Sequence, residues 1–161
     1  MWGAVVGDHV LDPVFLEGAV NGDRYRELLQ TEVRNFLDDL PLEFRATLTF
    51  QQDGHPAHRS RATLNLIREL FGRRWIGLGS DLHEWPLRSP DLSIMDFFVW
   101  GYVKAKLSEY GRAANVEELK QNIQRAFATI TPAMLGAARR SFFKRVAMCL
   151  EQDGGHFEQL L

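Results

Sequence analysis

The chain has 161 residues, 45% of them hydrophobic and 25% charged, an ordinary globular composition with enough length for one domain and a real core. Nineteen basic against 21 acidic residues give a net charge of −2, which argues against a protein that is basic over its whole surface but leaves room for a local basic patch. The single cysteine, Cys149, excludes an internal disulfide and a zinc finger and fits a reducing compartment, and no apolar run reaches the roughly 18 residues of a membrane span.

The N-terminal stretch has no basic region and no clear cleavage site, so it does not read as a signal peptide. Residues 2–6 and 10–16 read as two short strands joined by Gly7-Asp8-His9, with Pro13 marking an edge or a bulge. Asn21-Gly22-Asp23 then opens a helix of about 15 residues, with Tyr25, Leu28, Leu29, Val33, Phe36 and Leu37 at helical spacing and Pro41 as the stop. Residues 46–51 alternate like a strand and end at Gln52-Asp53-Gly54. A helix is expected over 57–71, with Ala62, Leu64, Leu66, Ile67, Leu70 and Phe71 inward, then a short strand over 75–78. Residues 80–93 read as a loop carrying Pro86 and Pro90, followed by a helix over 94–109 with Phe97, Val99, Trp100, Val103 and Leu107 in the core.

Two further helices complete the pattern. Asn115 through Glu118 has the form of a capping box, Thr131-Pro132 is a cap followed by proline in the first helical position, and Gly154-Gly155 reads as a stop. The order of strands and helices predicts a mixed α/β domain with helices over at least one face of the sheet.

Two carboxylates stand out. Asp53 sits just past the end of an apolar strand, a place that is rigidly held yet open to solvent and that suits a hard cation. Asp53-Gly54 is also a common turn pair. Asp96 falls at the third position of a helix that Ser93 can cap, where any acid is favoured by the free N–H groups and the helix dipole. Composition alone does not choose between these roles.

The motifs around the two acids do add information. Gln51-Gln52-Asp53-Gly54-His55-Pro56-Ala57-His58 resembles the second catalytic block of the mariner-superfamily transposases. Ser89-Pro90-Asp91-Leu92-Ser93-Ile94-Met95-Asp96 resembles their third, and the likeness runs on through Phe97-Phe98-Val99-Trp100-Gly101. Ile130-Thr131-Pro132 and Gly154-Gly155-His156-Phe157 resemble the end of insect members, so the resemblance covers essentially the whole chain. Forty-two residues separate the two acids, at the long end of the family's spacing, and Ile94 stands where the family usually has proline. An Asp as third acid, not Glu, points to the mariner-like branch.

The resemblance implies a ribonuclease H-like fold, α/β with a mixed sheet and flanking helices, in which the whole of 1–161 is the C-terminal portion of a catalytic domain. It implies that Asp53 and Asp96 are the second and third catalytic acids and metal ligands. Two Mg²⁺ or Mn²⁺ ions in the complete family site would clamp the attacking and leaving oxygens of a phosphodiester. The family's first acid lies on a first, central strand upstream of the segment like residues 2–16, and no residue here matches it. Asp8 and Asp12 lie in the wrong place by family order. The expectation is therefore a first strand and first acid outside this chain, an incomplete site, no activity alone, exposed strand edges and marginal stability. The family's DNA-recognising helix-turn-helix domains also have no counterpart here.

Double-stranded DNA, as transposon ends and target, is the implied partner, with a homodimer as a further candidate, no membrane, and a nuclear location. Arg59, Arg61, Arg139, Arg140, Lys144 and Arg145 are candidate phosphate contacts, although exposed charge is also the ordinary state of a helix face. His55 and His58 could position a water or phosphate, or simply pack; a zinc site from them and Asp53 has no recognised spacing. A non-catalytic DNA-binding or protein-interaction module derived from a transposase is the alternative. An unrelated ribonuclease H-like nuclease would need another acid, for which Glu84 is the one tempting loop residue.

Overall fold

The computed structural model describes residues 1–81, 83–86 and 89–161. The chain divides into two compact units, unit 1 comprising Met1–Phe15 with Ser89–Leu161 and unit 2 comprising Leu16–Arg88. Helices dominate both, and each holds one small two-stranded sheet among its described residues.

Unit 1 opens with an antiparallel hairpin of β1 (Val5–Val6) and β2 (His9–Val10). The paired segments are much shorter than 2–6 and 10–16. His9 belongs to the strand, which leaves Gly7-Asp8 as a two-residue turn with Gly7 at φ 58°, where glycine alone avoids a steric cost. Pairing resumes at Trp2 and Val14, whose backbones exchange hydrogen bonds of 2.8 and 2.9 Å. Three steps lead from Val5 back to Trp2 but four from Val10 on to Val14, so the second strand carries one extra residue. The buried Pro13, which has no N–H to place in a ladder, lies in that bulge as expected.

The hairpin packs on a helical core. A π turn, Met95–Val99, leads into α5 (Trp100–Tyr110), followed by α6 (Val116–Ala128) and α7 (Pro132–Glu151). Val99, Val103, Ala126, Phe127, Ile130 and Leu135 form the buried cluster, with Val5 and Val10 against it. Gly3 has no Cβ because Met95, Trp100 and Phe127 stand 3.1 to 3.3 Å from where one would be.

The caps show why these helices begin and end where they do. Asn115 accepts from the Glu118 N–H at 2.8 Å, and Glu118 reaches back one residue further than a standard capping box, to the Ala114 N–H at 2.6 Å. Thr131 accepts from the Met134 N–H at 3.3 Å, with Pro132 in the first turn. At the other end of α7 the Gly154 N–H bonds the Cys149 carbonyl at 2.9 Å and the Asp153 N–H bonds Leu150 at 3.1 Å, a Schellman motif. Its left-handed position is filled by Asp153 at φ 50°, not by either glycine.

Unit 2 is built on a long helix: α1 (Gly22–Leu28), a π turn Leu29–Val33, and α2 (Arg34–Asp39). Asn21 caps it by accepting from the Arg24 N–H at 3.0 Å. The expected inward positions hold: Tyr25, Leu28, Leu29, Val33 and Leu37 are buried and Phe36 is half-buried. After Pro41 a short helix, α3 (Leu42–Thr47), occupies ground assigned to a strand. Pro41 starts it and Arg45 ties it back to Leu37 and Asp38, so local helix contacts override the alternation at Ala46 and Thr47.

The strand proper is only β3 (Phe50–Gln51), parallel to β4 (Trp75–Ile76). Between them, α4 (Arg61–Phe71) starts from Ser60, which caps the Thr63 N–H at 3.1 Å. Phe50 and Phe71 stack at 4.6 Å. Ala62 is exposed, contrary to expectation, and Thr63 takes the buried place because its hydroxyl donates to the Ala57 carbonyl at 3.2 Å. Of the loop read over 80–93, Leu82, Leu87 and Arg88 lie outside the described residues.

Candidate metal centre and its supports

Asp53 lies in unit 2. The parallel pairing of β3 with β4 continues through the Gln52 N–H, which donates to the Ile76 carbonyl at 3.0 Å, and Asp53 is the first residue beyond the ladder. The strand fixes its backbone while its side chain remains 55% exposed.

Both donors that reach the Asp53 carboxylate converge on one oxygen. The His55 N–H donates to Oδ1 at 3.0 Å and His58 Nδ1 lies 2.8 Å from the same atom. Among the described residues, Oδ2 has no partner. The hydrogen bond from His58 is the main reason the Asp53 carboxyl sits below its ordinary value; burial opposes it, and the His55 N–H and the imidazoles add to it.

The two histidines take opposite tautomers when neutral. His58 needs its proton on Nδ1 to donate to Asp53, whereas His55 Nδ1 accepts from the Ala57 N–H at 3.2 Å and must be bare. Their rings are 5.3 Å apart at the turn Pro56–His58.

Behind the histidines lies a buried polar pair. Tyr25 donates to Gln52 Oε1 at 3.0 Å, and the Gln52 amide reaches towards the His58 carbonyl at 3.5 Å, the outer limit of a hydrogen bond. Burial, reinforced by the nearby Asp53 charge, pushes the Tyr25 phenol far up, so it remains a donor. Helical spacing marks Tyr25 only as an apolar position, and its partner is 27 residues away, beyond any local pattern.

Asp96 lies in unit 1, in the π turn that opens the helix before α5. Ser93 has the extended backbone of a cap, and its carbonyl accepts from the N–H groups of Asp96 and Phe97, both at 2.9 Å. The Asp96 side chain is exposed, and its carboxylate has no hydrogen bond or ion pair among the described residues. The preceding turn, Pro90–Leu92, is held by Arg145 of α7, whose Nη1 donates to the Asp91 carbonyl at 3.1 Å.

The candidate phosphate contacts fall into two groups. Arg59, Arg61, Arg140 and Lys144 are exposed, with no side-chain hydrogen bond or ion pair among the described residues. Arg139 is engaged by Asp8 at 2.8 Å. Arg145 is the departure from expectation: its side chain is 14% exposed, packed over Phe97 and 3.5 Å from Glu158, because α7 turns it inward against the third-block turn. Among the described residues no group of three or more His, Cys, Asp or Glu is gathered as a metal cage, Asp53 with its two histidines included, and no helix is long and apolar enough to cross a membrane. Glu84 is exposed.

Comparison with known proteins gives a consistent picture. No family model matches the chain. The Tc3 transposable-element transposase of Caenorhabditis elegans is 28% identical over 155 residues, 96% of this chain and 44% of that protein. The Tcb2 transposase of Caenorhabditis briggsae is 25% identical over 159 residues, covering 96% and 52%. The chain thus spans about half the length of these relatives. In fold it is similar to the catalytic domain of the Mos1 mariner transposase, with a TM-score of 0.71 at 23% identity over 93% of this chain and 69% of that one. It is similar too to the pre-cleavage Mos1 transpososome, with a TM-score of 0.77 at 22% identity over 94% and 43%. Other matching Mos1 structures contain Mg or Mn. In sequence the chain is thus similar to transposable-element transposases, and it has the ribonuclease H-like fold of the Mos1 catalytic domain.

Proposed function

We propose that this chain supplies the second and third carboxylates, Asp53 and Asp96, of a site for DNA strand cleavage and strand transfer. The observation that carries the reading is the one-sided tethering of Asp53: the His55 N–H donates to Oδ1, His58 Nδ1 lies 2.8 Å from the same oxygen and 3.3 Å from the Asp53 carbonyl, and among the described residues nothing engages Oδ2. A carboxylate that merely closed a turn would have no need of a histidine on its side chain as well as a backbone N–H.

The donor set fits a hard divalent cation. Both residues offer carboxylate oxygens, both side chains are exposed, and oxygen ligands suit Mg²⁺ and Mn²⁺. Such ions, when bound, supply Lewis-acid activation of water or a 3′-hydroxyl and charge neutralisation at the phosphate. The chain's own residues orient the ligands: His58 and the His55 N–H aim Asp53, and Ser93 fixes the helix start that carries Asp96. Arg59, Arg61, Arg140 and Lys144, exposed and without an ion pair among the described residues, are suited to phosphate contact on double-stranded DNA, whether transposon end or target.

The family pattern has a third carboxylate on a first, central strand, and none of these 161 residues matches it. This chain on its own is therefore expected to have little strand-cleaving activity. A nuclear location and a paired, dimeric working state belong to the same proposal; the similar Mos1 structures include paired-end complexes. These four exposed cations also favour a second reading, a DNA-binding module without catalysis.

Two measurements separate these. Mn²⁺ binding by electron paramagnetic resonance should weaken in Asp53→Asn and in Asp96→Asn; binding unaffected by either substitution leaves the DNA-binding module as the better account. A plasmid-nicking assay with Mn²⁺ should show little cleavage by the chain alone. Robust nicking that disappears in Asp53→Asn would overturn the expectation of an incomplete site.

A further inference from the structure

Tyr25 and Gln52 are a polar pair sealed inside unit 2, 1% and 5% exposed. A buried hydroxyl and carboxamide carry a desolvation cost that apolar side chains of similar size would avoid, and it is offset only when they are bonded. Packing alone does not explain them. Both make contact with the same residue, His58. The Tyr25 ring lies 4.1 Å from the imidazole with a 35° tilt, and the Gln52 amide points to the His58 carbonyl. His58 Nδ1 in turn lies 2.8 Å from Asp53 Oδ1 and 3.3 Å from the Asp53 carbonyl, so it holds the residue by side chain and main chain.

The surrounding structure leaves room for this arrangement and little else. A Cβ at Gly77 would stand 3.0 Å from Gln52 Cγ and 3.1 Å from the Trp75 ring, so the absent side chain of Gly77 is the space that Gln52 folds into. Thr63 pins the Ala57 carbonyl from α4, so the turn carrying His58 is held from two helices.

We propose that Tyr25 and Gln52 are positioning residues for Asp53: they fix the ring and backbone of His58 so that its Nδ1–H holds Asp53 Oδ1 and leaves Oδ2 turned to a divalent cation. The proposal rests on the reading of Asp53 as a metal ligand. A half-exposed carboxylate without such support would spread over several rotamers, and only a fraction of them would present the same oxygen.

The test uses the whole chain with nitrogen-labelled histidine. The wild-type His58 nitrogen spectrum is expected to show the Nδ1–H tautomer. Tyr25→Phe keeps the tilted ring contact and removes the hydroxyl alone. It should retain the far-ultraviolet circular dichroism, move the His58 nitrogen signals towards mixed tautomers, and weaken Mn²⁺ binding roughly ten-fold. Phe36→Leu, a half-buried change elsewhere in the same unit, should lower stability without moving either readout. Unchanged His58 signals and unchanged Mn²⁺ affinity in folded Tyr25→Phe overturn the proposal. Should that variant fail to fold, Gly77→Ala, which displaces Gln52 from the other side, carries the same two readouts. An Asp53→Asn variant that binds Mn²⁺ as tightly as wild type defeats the metal-ligand reading instead, and the His58 spectrum then decides by itself whether Tyr25 orients the imidazole.

Discussion

The guanidinium of Arg145 lies over the Phe97 ring, 4.4 Å from its centre, while Nη1 donates to the Asp91 carbonyl at 3.1 Å. One side chain from α7 therefore grips both the turn before Asp96 and the helix start that carries it. Among the described residues its buried Nε has no partner, so the geometry serves the stack and the carbonyl at some local cost.

Replacing Arg145 by Met keeps much of the apolar stem and removes the charge and the donor. A loss of about 1–3 kcal/mol is expected from the cation–π contact and the charged hydrogen bond together. Arg145→Lys should recover little of it, since an ammonium has no flat face to lay on Phe97. Urea unfolding compares the two with Arg140→Gln, an exposed position where a change of about 0.5 kcal/mol or less is expected. Equal effects at 140 and 145 would show that the grip contributes nothing.

Gly77→Ala is expected to destabilise unit 2 by about 1–3 kcal/mol, the usual range for overpacking. The new methyl would meet Gln52 Cγ at 3.0 Å and the Trp75 ring at 3.1 Å, both buried, so it must push one of them aside. Gly101→Ala, where nothing lies within 4 Å, is the matched control in a helix and should be neutral or stabilising. Thermal midpoints of the two variants decide the matter.

Asp153→Gly should stabilise the end of α7 by about 1 kcal/mol or less. Asp153 occupies the left-handed position at φ 50°, which costs an ordinary side chain and costs glycine nothing. The gain is reduced by the greater freedom of glycine in the unfolded chain. A lower unfolding midpoint for the variant would mean that the aspartate side chain stabilises the cap by more than its backbone strain.

The hydrogen bond from His58 also predicts a pH dependence. The folded-state carboxyl of Asp53 lies below its ordinary value of 3.8, so the charged form is favoured by folding. Its contribution is present in full above that ordinary value and is lost as pH falls through the depressed one. Asp53→Asn should therefore unfold more easily than wild type at pH 7, by a modest amount because the site is half-exposed, and the gap should close in strong acid. A difference that persists unchanged below pH 2 would assign the effect to shape, not charge.

Local signals in the sequence carried the start and end of most helices. Asn21, Asn115 and Thr131 each cap by the side-chain bond their residue types predict, and the inward residues of the first helix follow from helical spacing. The placement of Asp53 at a strand end and Asp96 at a helix start was legible for the same reason. What was hidden depends on contacts far apart in sequence. Thr63 is inside because of a carbonyl at Ala57, Arg145 is inward because of Asp91, and Tyr25 is tied to Gln52. The strand expected over 46–51 is longer than the observed Phe50–Gln51 because alternation at Ala46 and Thr47 carries no sign of the Arg45 contacts that keep them helical.

The two π turns give the long helices a change of phase. Each inserts one residue more than the α ladder accommodates, which rotates everything beyond it by about 100° relative to what came before. Tyr25 and Leu28 precede one such step and Leu37 follows it, and all three face the interior of unit 2. Asp96 stands within the other, just ahead of Val99 and Val103 in the core of unit 1. Removing a single residue from Met95–Val99 would leave a continuous helix, yet it would swing the acid to another compass bearing. The direction of this carboxylate is thus set by a count of residues inside a helix.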